Sequence, residues 1–317
     1  MLHLTLLVSN CFRLYHRTTR GTRSFPICVA TWLQQLNLEE DHKTFAILKG
    51  LRTAQEFHLP AEQTDVESLI SGVTLSGVEF NTNSVQPSTL FFRKFYPALL
   101  NNLLKSKYSI LTGNPGISKS WFHWYILYCV VRGDVVNGFN PTLIARLVSN
   151  RQLVFIFPKF DRVYCTYSVS IGLALLSKNI QPDEALLLIE PEDSFVEPIT
   201  IGVQTILTCS PDVRRYKEFQ KQGAGKYFMP VWKVEELQLV ADHIHKNTTD
   251  RFLKDNLTPE GIKYRYYQFG GIFRYVIPVN DRIIKNAKSE QELSLSNTKP
   301  ADTFIQGTNI EKRDDNK

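Results

Sequence analysis

The sequence lacks paired cysteines. Its five, Cys11, Cys28, Cys129, Cys165 and Cys209, lie far apart among 317 residues, with no CxxC pair and no accompanying histidine cluster. That spacing excludes a readable disulfide framework or structural zinc site and points to buried thiols in a reducing compartment. Long apolar runs are also missing. The longest, Trp121 to Val131, contains His123 and falls well short of the roughly 20 apolar residues that cross a bilayer, so no membrane contact is expected. The N-terminus, Met1 to Val8, is apolar but short, without a basic leader or a small-residue cleavage site, so it makes no convincing signal peptide and an intracellular protein is the default. No block of consecutive Lys/Arg accompanies the net charge of +6; such a balance permits contact with nucleic acid without demonstrating it. A GxSxG elbow is absent. His243 and His245 stand one residue apart in a helical pattern and diverge on its surface, which makes a poor metal pair.

What is present suits a large globular core: 43% of residues are hydrophobic. Residues 1–85 form an N-terminal region of unread role, with a basic patch from Arg17 to Arg23 and an amphipathic helix expected over Leu38 to Phe57. Asn81 to Pro87 reads as a loop, after which Phe91 to Tyr96 is expected to open a helix. Continuous apolar runs at Tyr108–Leu111, Gln152–Phe157, Ala185–Ile189 and Val203–Thr208 read as buried strands, with Val163–Val169 a hairpin partner to the second. Alternation with helical segments gives an α/β fold, its sheet mostly parallel and flanked by helices. Trp121, Trp124, Tyr125 and Tyr128 fall at helical spacing and read as core packing. A core over 86–225, a small helical C-terminal lid over 226–284 and a polar tail, disordered over 285–317, complete the expected organisation.

The densest chemistry lies in Gly113-Asn114-Pro115-Gly116-Ile117-Ser118-Lys119-Ser120, between an apolar strand and a helical segment. Strand, glycine-bearing loop and helix in that order nearly spell a phosphate-binding loop, in which backbone N–H groups and the helix N-terminus converge on phosphate. Lys119 then bridges β- and γ-phosphate oxygens and the Ser120 hydroxyl sits on Mg²⁺. Ser118 departs from the pattern, which has glycine there. A Gly/Pro turn that happens to carry Lys-Ser stays open as the alternative.

Downstream, Glu190 ends the strand Ala185–Ile189, where a carboxylate would hold the metal or polarise water; Pro191, Glu192 and Asp193 follow. An acidic surface loop is the competing reading. Ser210, after the strand Val203–Thr208, is placed to sense a γ-phosphate, or simply starts a Ser-Pro-Asp turn. Arg214 with neighbouring Arg215, and Arg274 after Gly270-Gly271, are candidates to stabilise phosphoryl charge, unless they are solvated surface arginines.

Taken together, residues 109–122, Leu188-Ile189-Glu190-Pro191, Leu207 to Asp212 with Tyr216 to Phe219, Tyr227 to Trp232 with Glu235 to Leu237, and Phe269 to Val276 resemble Crinkler-type effectors and the related retrotransposon hot spot proteins, across roughly residues 90–280. The resemblance implies a STAND- or AAA-like P-loop NTPase fold with a catalytic set of Lys119, Glu190, Arg214 and Arg274, a nucleotide set of residues 113–120 with Ser210, and a metal set of Ser120 and Glu190. ATP or GTP with Mg²⁺ would be the cofactors. It also implies secretion, action in a host cell nucleus, and host nuclear proteins or DNA as partners, beside self-association. Residues 1–85 carry no recognisable translocation header, and little chain follows the lid to form a nuclease. Two functions compete: Mg²⁺-dependent nucleotide hydrolysis, and a nucleotide-binding effector or scaffold that hydrolyses slowly and acts by contacting host proteins or nucleic acid.

Overall fold

A computed structural model describes residues 38–59, 69–80, 88–134, 138–148, 152–159, 161–179, 184–191 and 202–296. The basic patch at 17–23, Cys11, Cys28, the loop at 81–87, Glu192, Asp193 and residues 297–317 lie outside them.

In chain order the elements are β1 (Glu39–Glu40), α1 (His42–Thr53), β2 (Glu56–Leu59), β3 (Ile70–Thr74), β4 (Thr89–Arg93), α2 (Tyr96–Leu103), β5 (Tyr108–Thr112), α3 (Lys119–Arg132), β6 (Leu143–Val148), β7 (Gln152–Phe157), β8 (Arg162–Thr166), α4 (Val169–Asn179), β9 (Ala185–Glu190) and β10 (Gln204–Cys209). A 3₁₀ turn at Val213–Arg215 then leads to α5 (Lys217–Lys221), β11 (Gly225–Phe228), α6 (Val234–Asn247), α7 (Arg251–Asn256), α8 (Pro259–Phe269), α9 (Phe273–Val276) and α10 (Asp281–Ser296).

The fold is α/β, as expected, but its main sheet is mixed. Eight strands run in the order β1-β8-β7-β6-β9-β10-β5-β11. From β6 to β11 the pairings are parallel, whereas β6–β7, β7–β8 and β8–β1 are antiparallel. Loop length is the physical reason. Only residues 149–151 join β6 to β7, and 158–161 join β7 to β8, whereas a parallel pair needs a crossover of about a dozen residues or more.

Strand alternation sends successive side chains into two separate cores. Leu111, Ile144, Leu186, Leu188 and Ile206 face a core shared with α1, α3 and α6. Ile110, Leu143, Leu187, Ile189 and Leu207 face a second one closed by Leu176, Tyr216 and Phe219. Helices therefore cover both faces, and the apolar runs are continuous because neither face meets water.

Four local readings change. Phe91-Phe92-Arg93 belongs to β4, not to a helix start; every residue of β4 is buried and it pairs antiparallel with β3, as suits aromatic side chains on a pleated surface. The helix expected over 38–57 is confined to α1, where the Asp41 carboxylate accepts the Thr44 N–H at 2.9 Å. Residues 39–59 and 69–80 do not stand apart: β1 pairs with β8, and α1 and the β2-β3-β4 sheet contribute Leu51, Val73 and Phe91 to the core beneath α3. The tail expected to be disordered from Lys285 is helical through Ser296, anchored by buried Ala287 and by the Gln291 side chain donating to the Gln268 carbonyl at 3.2 Å. None of the described helices is long and apolar enough to cross a membrane.

Candidate nucleotide cleft

The carboxyl ends of β5, β9 and β10 are brought level by register. Cys209 pairs with Thr112, and Ile189 with Leu207. The loop at 113–118, Glu190 and Ser210 consequently emerge on one sheet edge, where parallel α/β sheets bind ligands. A cleft of about 820 Å³ opens there, lined by Pro115, Gly116, Ser118, Lys119, Ser120 and Glu190 on the sheet side and by Phe273, Arg274 and α10 residues on the other.

The loop is held from behind by the C-terminal helices. The Arg274 N–H donates to the Gly116 carbonyl at 3.2 Å, and the Trp232 indole N–H to the Ile117 carbonyl at 3.3 Å. A side chain at Gly116 would press within 3.0 Å of the Arg274 Cβ, so this approach needs glycine. Ser118 adopts a left-handed conformation with φ of 77°, which explains the glycine in the common pattern: serine reaches this conformation at a steric cost of about 1 kcal/mol.

Lys119 begins α3 and donates to the carbonyls of Gly113 at 2.6 Å and Asn114 at 2.8 Å. Burial pushes its pKa down to about 8; Arg274 and Arg215 act the same way, while Cys209 and Glu190 oppose them. The next residue makes the central contact: the Ser120 hydroxyl donates to Glu190 Oε1. The second carboxylate oxygen, Oε2, accepts from Arg146 Nη2 at 3.1 Å. Burial alone would push the Glu190 carboxyl up, but His123, Arg146 and the Ser120 hydroxyl outweigh it and hold the group below the ordinary carboxylate range. Arg146 lies over the Trp124 ring, 4.6 Å from its centre.

Placement separates the remaining candidates. Ser210 and Arg274 line the cleft. Arg214 does not: it is 89% exposed and turned back on Asp212 at 2.7 Å. Its neighbour Arg215 lines the cleft instead. Trp124, Tyr125 and Tyr128 are buried as expected, while Trp121 is half-buried and reaches the cleft wall beside Phe273. His243 stacks on Phe57 at 4.5 Å, and among the described residues no group of three or more His, Cys, Asp or Glu is arranged to hold a metal.

Two site residues escaped the sequence reading. Arg146, in mid-strand, and His123, inside an apolar helix, carried no local motif; only the pairing of Val148 with Glu190 brings Arg146 to the carboxylate, and the i, i+3 offset sets His123 on the Ser120 side of its helix.

No family model matches the chain. Among curated proteins it is similar to Crinkler effector protein 15 and Crinkler effector protein 16, both from Phytophthora infestans, at 29% identity over 166 residues. The match covers 48% of this chain and 24% of either relative. The chain thus spans about a quarter of the length of the curated relatives it matches. This likeness supports a Crinkler-type relationship at most, over half of the chain, and is consistent with an effector role.

Proposed function

We propose that the chain is a P-loop nucleotide-binding module of a Crinkler-like effector, taking ATP or GTP with Mg²⁺ and hydrolysing it. The observation that carries this reading is the meeting of Ser120 and Glu190, which are 70 positions apart in the chain. One heads a helix behind a glycine-bearing loop; the other ends a strand of the same parallel sheet. Together they offer two hard oxygen donors, a set that suits Mg²⁺, which binds through one or two carboxylates and completes its shell with phosphate and water.

The chain's own residues divide the work. Lys119 would exchange the Gly113 and Asn114 carbonyls for phosphate oxygens, the loop N–H groups would receive the phosphates, and Ser120 and Glu190 would hold the metal. Mg²⁺, when bound, supplies neutralisation of the phosphate charge. Arg274 and Arg215 are the cations beside the cleft that suit charge on a transferring phosphoryl group. Ser210 takes the γ-phosphate sensing position. Nucleotide binding and phosphate release, measured on the wild type beside Lys119→Ala at equal unfolding midpoints, test the reading. Loss of both in the variant is expected, and turnover equal to that of the wild type would sink it.

A second reading, nucleotide-dependent binding with slow turnover, is favoured by one observation. The Glu190 carboxylate is paired with Arg146 and accepts from Ser120, which holds its pKa down and makes it a weak base toward an attacking water. Calorimetric nucleotide binding without phosphate release would select it. Secretion, action in a host nucleus, host-protein or DNA partners and self-association belong to the proposal through the resemblance alone.

A further inference from the structure

Trp121 is the third residue of α3, directly after Lys119 and Ser120. Its companions at helical spacing, Trp124, Tyr125 and Tyr128, are buried in the core. Trp121 alone of that set is half-buried, and it lines the same cleft of about 820 Å³ as the loop. The core braces it: the Phe91 ring lies within 24° of parallel with 6.5 Å between centres, and the Phe273 ring is 5.4 Å away at 59°. A flat aromatic surface held in this way has little side-chain entropy left to lose when another ring stacks on it.

The lining of the cleft is of two kinds. Lys119, Ser120, Glu190, Arg215 and Arg274 supply charge and a hydroxyl, whereas Trp121, Phe273, Ile277, Val279 and Ile283 supply aromatic and aliphatic surface. The first set suits phosphates; the second does not, because apolar surface cannot replace the hydration of an anion. A volume of about 820 Å³ is that of a pocket enclosing a whole small molecule. Resting on the nucleotide reading above, we propose that Trp121 is the base platform: the nucleobase stacks on its indole while the phosphates occupy the loop. The helix sets the order. Its first two residues, Lys119 and Ser120, take the phosphate end, and the third stands one position further, with only a ribose between the α-phosphate and the base. Stacking responds to ring area more than to base edges, so the site takes purine nucleotides ahead of pyrimidine ones.

The test is calorimetric titration of ATP, CTP and inorganic tripolyphosphate, each with Mg²⁺, on wild type, Trp121→Tyr and Trp121→Leu. Leucine keeps apolar bulk and removes the aromatic face; tyrosine restores one. Trp121→Leu should lose roughly tenfold of the ATP affinity yet bind tripolyphosphate within about twofold of wild type, and Trp121→Tyr should keep most of the ATP affinity. The wild type should bind ATP about fivefold more tightly than CTP, and Trp121→Leu should narrow that gap. Equal ATP affinity in wild type and Trp121→Leu overturns the proposal, as does an equal loss of ATP and tripolyphosphate, which would mark a purely structural tryptophan. On the wild type, bound ATP should show nuclear Overhauser contacts between the adenine H8 proton and the Trp121 ring protons; their absence overturns the proposal even if Trp121→Leu fails to fold. A wild type that binds neither ATP nor tripolyphosphate would instead remove the nucleotide reading itself, and this inference with it.

Discussion

The indole of Trp232 donates its N–H to the carbonyl of Ile117, joining the segment before α6 to the loop that approaches the cleft. Trp232 is completely buried, packs 4.9 Å from the Phe273 ring and lies under the Arg93 guanidinium. Trp232→Phe keeps much of the packing and orphans the carbonyl. The expected cost is about 1–3 kcal/mol of stability, read from denaturant midpoints, together with weaker nucleotide binding. Unchanged affinity at a lowered midpoint would show that the strap does not shape the loop.

Ser118 provides a prediction of opposite sign. Its left-handed backbone is strained for serine and free for glycine, so Ser118→Gly should stabilise the fold by about 0.5–1 kcal/mol once glycine's extra unfolded entropy is offset. Ser118→Val should destabilise it. A denaturation series on the three proteins checks the order, and a less stable glycine variant would contradict the assigned conformation.

Arg93 and Glu236 form a buried ion pair at 2.6 Å, and the guanidinium also donates to the carbonyls of Pro230 and Val231. Arg93→Met leaves Glu236 buried without its partner, for an expected loss of about 3–5 kcal/mol. The double variant Arg93→Met with Glu236→Gln should recover part of it, because the orphaned charge is gone. A double-mutant cycle on thermal midpoints measures the coupling; additive losses would mean that the two side chains act independently.

His243 links stability to pH. Burial between Phe57 and Phe91, followed by the charge of Lys246, holds its pKa below the ordinary histidine value. A group depressed in the folded state binds more protons when unfolded, so its contribution is fully present above about pH 6.5 and is lost progressively as pH falls from that value through the lower folded-state pKa. His123, also depressed, adds to the same slope. Midpoints at pH 7.5 and 5 should differ less in His243→Phe than in wild type; an equal difference would remove His243 from the acid response.

The loop, Lys119 and Ser120 were legible because their chemistry is contiguous in sequence. Glu190 was legible because five apolar residues, Ala185 to Ile189, point a strand at it. Arg214 and Arg215 were not separable, since adjacent residues on a 3₁₀ turn diverge and only the Asp212 carboxylate decides which one turns away. Arg146 was invisible because its carboxylate partner lies on the neighbouring strand, 44 positions away in the chain. The β7–β8 hairpin was legible from its short link, but β6 (Leu143–Val148) was not read as a strand, so the second hairpin, closed by the three residues 149–151, was missed and the sheet was taken as mostly parallel. In β4, an aromatic run that suits a strand was mistaken for a helix start because the helix Tyr96–Leu103 follows so closely.

The adjacent glycines ahead of Arg274 are required for unrelated reasons. Gly270 has φ of +64° with open space around it, while a Cβ on Gly271 would lie 2.0 Å from the Trp232 carbonyl oxygen. The first constraint concerns handedness and the second concerns volume. Alanine at 270 should therefore cost only the strain of its backbone conformation, about 1–3 kcal/mol with the fold intact, whereas alanine at 271 should push apart the backbone that carries Arg274 and the backbone that carries Trp232.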